Sequence, residues 1–145
     1  MTTRVAALLQ GKGHDVLTVT PDSSVGALVK LLAERRIGAL PVVDGDGRLK
    51  GIVSERDVVR TLSARGESVL QELVSSIMSS TVHTCSPDDD TESLMRIMTE
   101  RRIRHVPVVD GGRLSGIVSI GDVVKDRIEE LEKNKTELIE YITAR

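Results

Sequence analysis

Two stretches of the chain decide its fold: PVVDGDGRLKGIVSERD at residues 41–57 and PVVDGGRLSGIVSIGD at residues 107–122. The second copy has one residue fewer in its Gly/Asp-rich turn. When the alignment is extended outward, residues 16–60 and 82–125 are identical at 24 of 44 aligned positions, and all four prolines recur. Internal repetition of this kind predicts two copies of one structural unit.

Each copy has the pattern of a β-α-β-β-α unit. A short strand ends at a proline, and a helix follows whose apolar residues recur at helical spacing. Two further strands flank the Gly/Asp-rich turn as a hairpin, and a second helix begins after a serine. The predicted strands are residues 16–19, 39–43 and 49–54 in the first copy, and 82–85, 105–109 and 114–119 in the second. The fold class is therefore α/β, with two pseudosymmetric repeats packed through their sheets around one shared core.

Two segments precede the repeats, and both have helix-like patterns. They are residues 5–9 and residues 69–78, and we expect them to be equivalent because each precedes a first strand. This gives a first repeat with its N-terminal helix at 1–66, a second repeat with its preceding helix at 67–127, and a helical extension at 128–145.

The last helix is predicted to run from about residue 121 to 143. Its apolar residues follow the spacing of a coiled-coil seam that Lys135 interrupts. The seam residues are Val124, Ile128, Leu131, Leu138 and Ile142. Two interpretations remain open: the stripe packs on its own domain, or it docks on a second subunit.

Composition narrows the classes of partner. The chain has 145 residues, with 20 Lys and Arg against 22 Asp and Glu, so a net charge of −2 gives no general attraction to nucleic acid or anionic lipid. Tyr141 is the only aromatic residue, whereas single-strand binders stack bases on aromatic rings. No apolar run approaches the roughly 20 residues that span a bilayer, and the single Cys85 excludes an internal disulfide. We expect a cytoplasmic protein.

With Pro-Val-Val-Asp and Gly-Ile-Val-Ser-x-x-Asp each present twice in register, residues 5–127 resemble a pair of CBS domains. The chain is similar to the small stand-alone proteins of that family. The resemblance implies a pseudosymmetric module with two clefts that bind adenosyl ligands, namely AMP, ADP, ATP, NAD or S-adenosylmethionine. It also implies pairing of two modules into a flat homodimer.

The pairs Ser54/Asp57 and Ser119/Asp122 carry the chemistry, and they have two interpretations. Locally, a serine N-cap with an acid three residues later resembles a capping box. Functionally, a helix N-terminus attracts phosphate, and a nearby carboxylate can accept both hydroxyls of a ribose. The two roles are compatible, and the family resemblance favours the ribose role for both aspartates.

The resemblance also implies that each cleft combines the two repeats, with adenine between aliphatic walls. The first cleft would combine Val53, Ser54, Arg56 and Asp57 with Val82, His83, Thr84, Arg104 and His105. The second cleft would combine Ile117, Ser119 and Asp122 with Val16, Leu17, Thr18, Gly38 and Ala39.

The two clefts are expected to differ in charge. Where the first has two arginines and two histidines, the second has Gly121, Gly38, Leu17 and Ala39. Because arginine suits phosphate oxygens, the first cleft is expected to hold the more phosphorylated end of a ligand. The second is expected to bind more weakly, or to take a moiety of little charge.

No catalytic grouping is visible, so we expect neither an enzyme nor a catalytic cofactor. The acids at 88–90 fit a helix N-terminus better than a metal site, and Cys85 fits a core position. The leading hypothesis is a regulatory sensor whose shape or assembly changes when an adenine nucleotide binds, with an unidentified effector protein as partner. The alternative is a constitutive interaction scaffold with empty clefts.

Overall fold

A computed structural model describes residues 3–144. The first half contains α1 (Val5–Lys12), α2 (Val25–Arg35), β1 (Ala39–Val43), β2 (Leu49–Ser54), α3 (Glu55–Arg65) and the 3-10 turns Glu67–Gln71 and Val74–Ser76. The second half contains α4 (Thr91–Arg101), β3 (His105–Asp110), β4 (Arg113–Ser119) and α5 (Ile120–Thr143). The predicted α/β architecture of two repeats with a long terminal helix is confirmed. No helix among these residues combines the length and apolarity needed to cross a membrane.

The two hairpins are built alike. Strands β1 and β2 pair antiparallel with Ala39 opposite Ser54, and β3 and β4 pair with His105 opposite Ser119. Each hairpin has an irregularity at the same place, between the two valines that follow the proline. Each therefore delivers a serine to the start of a helix beside the first residue of the partner strand.

Each repeat has its own core, so the expectation of one shared core is wrong. Leu28, Leu40 and Val53 are buried in the first, and Leu94 and Val118 in the second. The inner face of each hairpin is covered by the helices that flank it. The hairpins meet through backbone at their turn ends, where the amide of Leu114 donates to the carbonyl of Gly47 at 3.0 Å.

The predicted first strands are reduced to one bridging residue each. Val19 forms a parallel bridge to Val42, and Cys85 forms one to Val108. The predictions of regular strands at 16–19 and 82–85 are thus wrong. A proline follows two residues after each bridge and cannot donate to the ladder. Residues 16–18 and 82–84, which precede the bridges, have no strand pairing.

Each segment that precedes a repeat along the chain packs against the other repeat. At α1, the Val5 amide donates to the Asp89 carbonyl at 2.8 Å, and Val5 and Leu9 are buried in the second core. In the other direction, the Val74 amide donates to the Ser23 carbonyl at 2.7 Å, and Val74 is buried in the first core.

The exchange supports the expected equivalence of the two segments, because Arg4 bridges to Asp90 as Leu73 bridges to Ser24. The helical prediction for 69–78 is wrong in type, since this segment forms two 3-10 turns. The domain boundary between residues 66 and 67 stays a prediction. In the packing, each preceding segment belongs to the core of the other repeat.

The long helix α5 is anchored at its beginning only. Val123 is 1% exposed, whereas the predicted seam is between 44% and 60% exposed at every apolar position. The interpretation in which this stripe packs on its own domain is therefore wrong. The stripe consists of Val124, Ile128, Leu131, Leu138 and Ile142.

A pair of equivalent glycines tests the exchanged packing. A Cβ on Gly51 would lie 2.7 Å from the Ser79 carbonyl oxygen, and a Cβ on Gly116 would lie 2.9 Å from Leu9 methyl groups. The backbone at Ser79 can shift less easily to make room for a methyl group than the end of the Leu9 side chain can. We expect Gly51→Ala to lower the free energy of unfolding by about 1–3 kcal/mol and Gly116→Ala by less, as measured by urea denaturation. Equal losses would contradict this packing.

Candidate functional site

A cavity of about 690 Å³ opens between the two repeats. This volume lies within the range of roughly 300–1,000 Å³ that is typical of small-molecule sites. The cavity coincides with the predicted second cleft. Six of its eight predicted residues line the wall: Val16, Leu17, Gly38, Ala39, Ile117 and Ser119.

The other two predicted residues are placed differently. Thr18 is half-buried and is not part of the wall. Asp122 lies at the start of α5 and is joined to the wall residue Lys12 by an ion pair. That these eight residues bind a ligand stays a prediction, although the structure brings most of them together.

Five ionisable residues that the sequence did not assign to this cleft line its wall. They are Lys12, Asp15, Arg35 and Arg36, together with His105, which was assigned to the first cleft. The comparison of matched positions, which placed the cations in the first cleft, therefore missed those of the second. Comparing matched repeat positions missed Lys12, because it arrives on the exchanged helix α1. Arg35 and Arg36 lie at the end of α2, which adjoins the cavity.

Asp122 is held as a carboxylate. The Ser119 amide donates to its Oδ2 at 2.8 Å, and the Asp122 amide donates back to the Ser119 hydroxyl at 3.1 Å, which forms the predicted capping box. Burial acts to raise the pKa of Asp122, but hydrogen bonds from Lys12 and Ser119 outweigh it, so the pKa is lowered. A charged acceptor therefore sits beside the cavity.

Lys12 also satisfies a strand carbonyl. Its Nζ donates to the backbone oxygen of Ile117 at 2.7 Å as well as to the Asp122 carboxylate. In the first repeat, the equivalent carbonyl of Ile52 accepts from the Ser79 amide at 2.9 Å. In the first repeat this strand carbonyl is therefore bonded by a backbone amide. In the second repeat it is bonded by a lysine side chain.

The predicted first cleft shows the same cap with a different cation. Ser54 and Asp57 form a capping box, and Arg60 on the same helix donates to Asp57 Oδ1 at 2.9 Å. Val53 is fully buried in the first core, so its side chain is not a cleft wall. Val82 is half-buried, and the side chains exposed to solvent are those of Arg56, His83, Thr84 and Arg104. Ligand binding by this set stays a prediction.

His105 stands at the start of β3 and lines the second cleft. Burial lowers its pKa, the charges of Lys12 and Arg104 lower it further, and the Asp122 carboxylate opposes them. The net result is a pKa below the ordinary 6.5, which favours the neutral imidazole.

Two arginines adopt a conformation that favours glycine. Arg36 ends α2 with φ of 52°, and Arg102 ends α4 with φ of 54°. Non-glycine residues in this left-handed region are strained, and glycine is the usual residue at such a helix end. Arg36 lines the cavity, so its strain coincides with a charge beside the candidate site.

Two further candidates have structural explanations. Burial raises the pKa of the Cys85 thiol to about 12, with the charge of Asp89 adding to the effect, so this residue is an inert core group. Asp90 caps α4 by accepting from the Ser93 amide at 2.7 Å, which lowers the pKa of Asp90. Asp90 therefore serves the start of α4.

Comparison with known proteins gives one family. The CBS domain model matches residues 13–64 and 74–129. A 33.4 kDa protein encoded in a ribosomal RNA operon of Thermofilum pendens is 48% identical over 111 residues, which are 77% of this chain and 36% of that protein. This chain therefore spans about a third of that relative's length.

Solved structures agree. A CBS-domain protein of Agrobacterium tumefaciens is 49% identical with a TM-score of 0.81, covering 86% of this chain and 99% of that one. CBSX2, crystallised in complex with AMP, is 27% identical with a TM-score of 0.73, covering 87% and 96%.

The strained arginines give a test of stability. Because glycine relieves the left-handed strain but adds flexibility to the unfolded chain, we expect Arg36→Gly to raise the free energy of unfolding by about 0.5–1 kcal/mol. Arg102→Gly should behave alike as the matched variant in the other repeat. Urea denaturation measures both, and a loss of stability in either would show that its arginine makes a stabilising contact.

His105 gives a test of pH dependence. Its pKa is lowered on folding, so the unfolded chain takes up the proton first as the pH falls below 6.5. Stability is therefore lost from that pH downward until the folded imidazole is protonated too. His105→Ala, which copies Ala39 of the first repeat, should flatten urea-unfolding stability between pH 7 and pH 5. The control is His83→Ala, and an unchanged slope in His105→Ala would refute this origin.

Proposed function

The chain belongs to the CBS-domain family as a tandem pair of repeats, and from this premise we propose that it is a regulatory module that binds an adenine nucleotide in the second cleft. The observation that carries the proposal is the cavity between the repeats, which several cations line and beside which lie the charged Asp122 and the N-terminus of α5. The AMP complex of CBSX2, a relative of matching fold, supports the same class of ligand.

Each part of the cavity suits one part of a nucleotide. The Asp122 carboxylate would accept the ribose hydroxyls, as an acidic residue does in dinucleotide-binding folds. Val16, Leu17 and Ile117 provide aliphatic walls for the adenine. Lys12, Arg35 and Arg36 would face the phosphates, for which guanidinium groups offer paired donors.

This charge distribution favours AMP, ADP, ATP or NAD as the ligand. S-adenosylmethionine carries a sulfonium cation, which three neighbouring cations would repel. We place the nucleotide in the second cleft first, because that cleft has both the cavity and the cations. The first cleft, with Asp57 and the exposed Arg56 and Arg104, is proposed as a further nucleotide site.

The regulatory output would follow from differential affinity. A nucleotide that contacts both repeats shifts the protein toward the arrangement that it binds better. Helix α5 begins at the cleft and ends with an exposed apolar stripe, so a change at Ser119 moves a surface able to meet another protein. We propose a homodimer through the module faces or this helix, with an effector protein as a further partner.

Catalysis is not part of the proposal. Within residues 3–144, the cavity hydroxyl of Ser119 is engaged in capping α5, and the Cys85 thiol is buried away from the cavity. The alternative from a different class is a constitutive scaffold with empty clefts. One observation favours the scaffold: the apolar stripe of α5 is exposed, and it could bind a protein partner with no nucleotide present.

Calorimetric titration with AMP tests the site. Asp122→Asn replaces the charged carboxylate with a neutral amide, and it should reduce AMP affinity about tenfold or more. Asp57→Asn is the matched control, because it alters the same type of capping box in the other repeat. We expect that variant to retain the tightest binding event within about threefold.

Other outcomes have definite meanings. Loss of the tightest event in Asp57→Asn alone would place the nucleotide in the first cleft. Absence of binding heat in the wild type, with no rise in melting temperature at high AMP, ADP, ATP or NAD, would refute the sensor and favour the scaffold.

A further inference from the structure

Lys12 bonds to two acceptors at the second cleft, the Asp122 carboxylate and the Ile117 carbonyl. Its ammonium group pairs with the Asp122 carboxylate and donates to the Ile117 carbonyl at 2.7 Å. Lys12 and Ile117 line the cavity, so the paired groups lie at its wall. A ligand that donates to this Oδ2 of Asp122, or to the Ile117 carbonyl, must therefore take the place of the lysine.

The first cleft has no equivalent arrangement in its described residues. There the strand carbonyl of Ile52 accepts from the Ser79 backbone, and Asp57 pairs with Arg60 of its own helix. A shift of 66 residues along the repeat places Met78 opposite Lys12. The intruding ammonium group is thus a property of the second cleft, and it comes from the exchanged helix.

The lysine is placed so that it can move while its helix stays. Leu9 is buried in the second core and contacts the strand at Gly116. Lys12 lies between Gly11 and Gly13, and Gly13 has a φ of 106°. The Lys12 side chain is about one-third exposed (32%), so water can take over its hydrogen bonds.

Displacement leaves a charge to be balanced. Once a ribose has replaced Lys12 at Asp122, the ammonium group of Lys12 remains in a cavity whose wall carries two more cations, Arg35 and Arg36, and one carboxylate, Asp15. An uncharged nucleoside breaks the ion pair and offers nothing in return. A phosphate group provides a new anionic partner for the released lysine.

We propose that Lys12 makes the second cleft selective for phosphorylated over unphosphorylated adenosyl ligands, by pairing with Asp122 in the empty cleft and with phosphate in the filled one. This inference rests on the proposed function, that is, on an adenosyl ligand binding at Asp122. It assigns a specificity-determining role to a residue outside both repeat motifs.

The test compares AMP with adenosine by calorimetry on the wild type and on Lys12→Met. The methionine copies Met78 and removes the charge while keeping a long apolar side chain. In the variant, adenosine should bind several-fold more tightly, because no ion pair has to be broken, and AMP should bind more weakly. The preference for AMP over adenosine should fall at least tenfold.

Two controls keep the result interpretable. Lys50→Met removes another partly exposed lysine, which lies 3.6 Å from Asp44 and outside the cavity wall, and it should leave the preference unchanged. Lys12→Gln should repeat the effect of Lys12→Met if that variant folds poorly. Melting curves without ligand establish folding in each case.

The outcomes separate the inference from its premise. An unchanged preference in both Lys12 variants, with AMP binding intact in the wild type, would overturn the role of Lys12 and leave the proposed function standing. Failure of the wild type to bind any of adenosine, AMP, ADP, ATP and NAD would overturn both.

Discussion

The structure depends on the backbone hydrogen bonds by which each repeat receives the segment that precedes the other. The Val5 amide meets the Asp89 carbonyl, and the Val74 amide meets the Ser23 carbonyl, at the entrances to α4 and α2. These bonds place Val5 and Val74 in the opposite cores. They hold two small hairpin units in one arrangement, which defines the cavity between them and brings Lys12 to its wall.

Around this framework, the same local motif performs different work in the two repeats. Both serines and both aspartates form capping boxes, so each pair is needed to begin its helix whether or not a ligand binds. The difference lies in the cation that each carboxylate meets. Asp57 meets an arginine of its own helix, whereas Asp122 meets a lysine of the exchanged helix α1. Tertiary placement, rather than the motif, distinguishes the clefts.

Sequence reasoning succeeded where one repeat's local pattern decides the result. The hairpins, both capping boxes and the extent of α5 follow from turn residues, N-cap serines and helical spacing. It failed where the partner lies on another element. The pattern of residues 5–9 does not indicate which repeat buries this segment. The position of Lys12 and its ion pair with Asp122 were therefore not predicted. Residues 16–19 are apolar and β-branched enough for a strand, but only Val19 pairs with the hairpin, and Val16 and Leu17 line the cavity instead.

Because of this exchange, the sequence unit that was duplicated is not the unit that forms one core. Each core contains a segment that precedes the other repeat. During synthesis α1 is made before both repeats, yet the core that receives Val5 and Leu9 needs residues as late as Val123. The first core is complete once Ile77 has emerged. Helix α1 therefore docks only after the second repeat has been made, and its docking closes a loop of more than 100 residues.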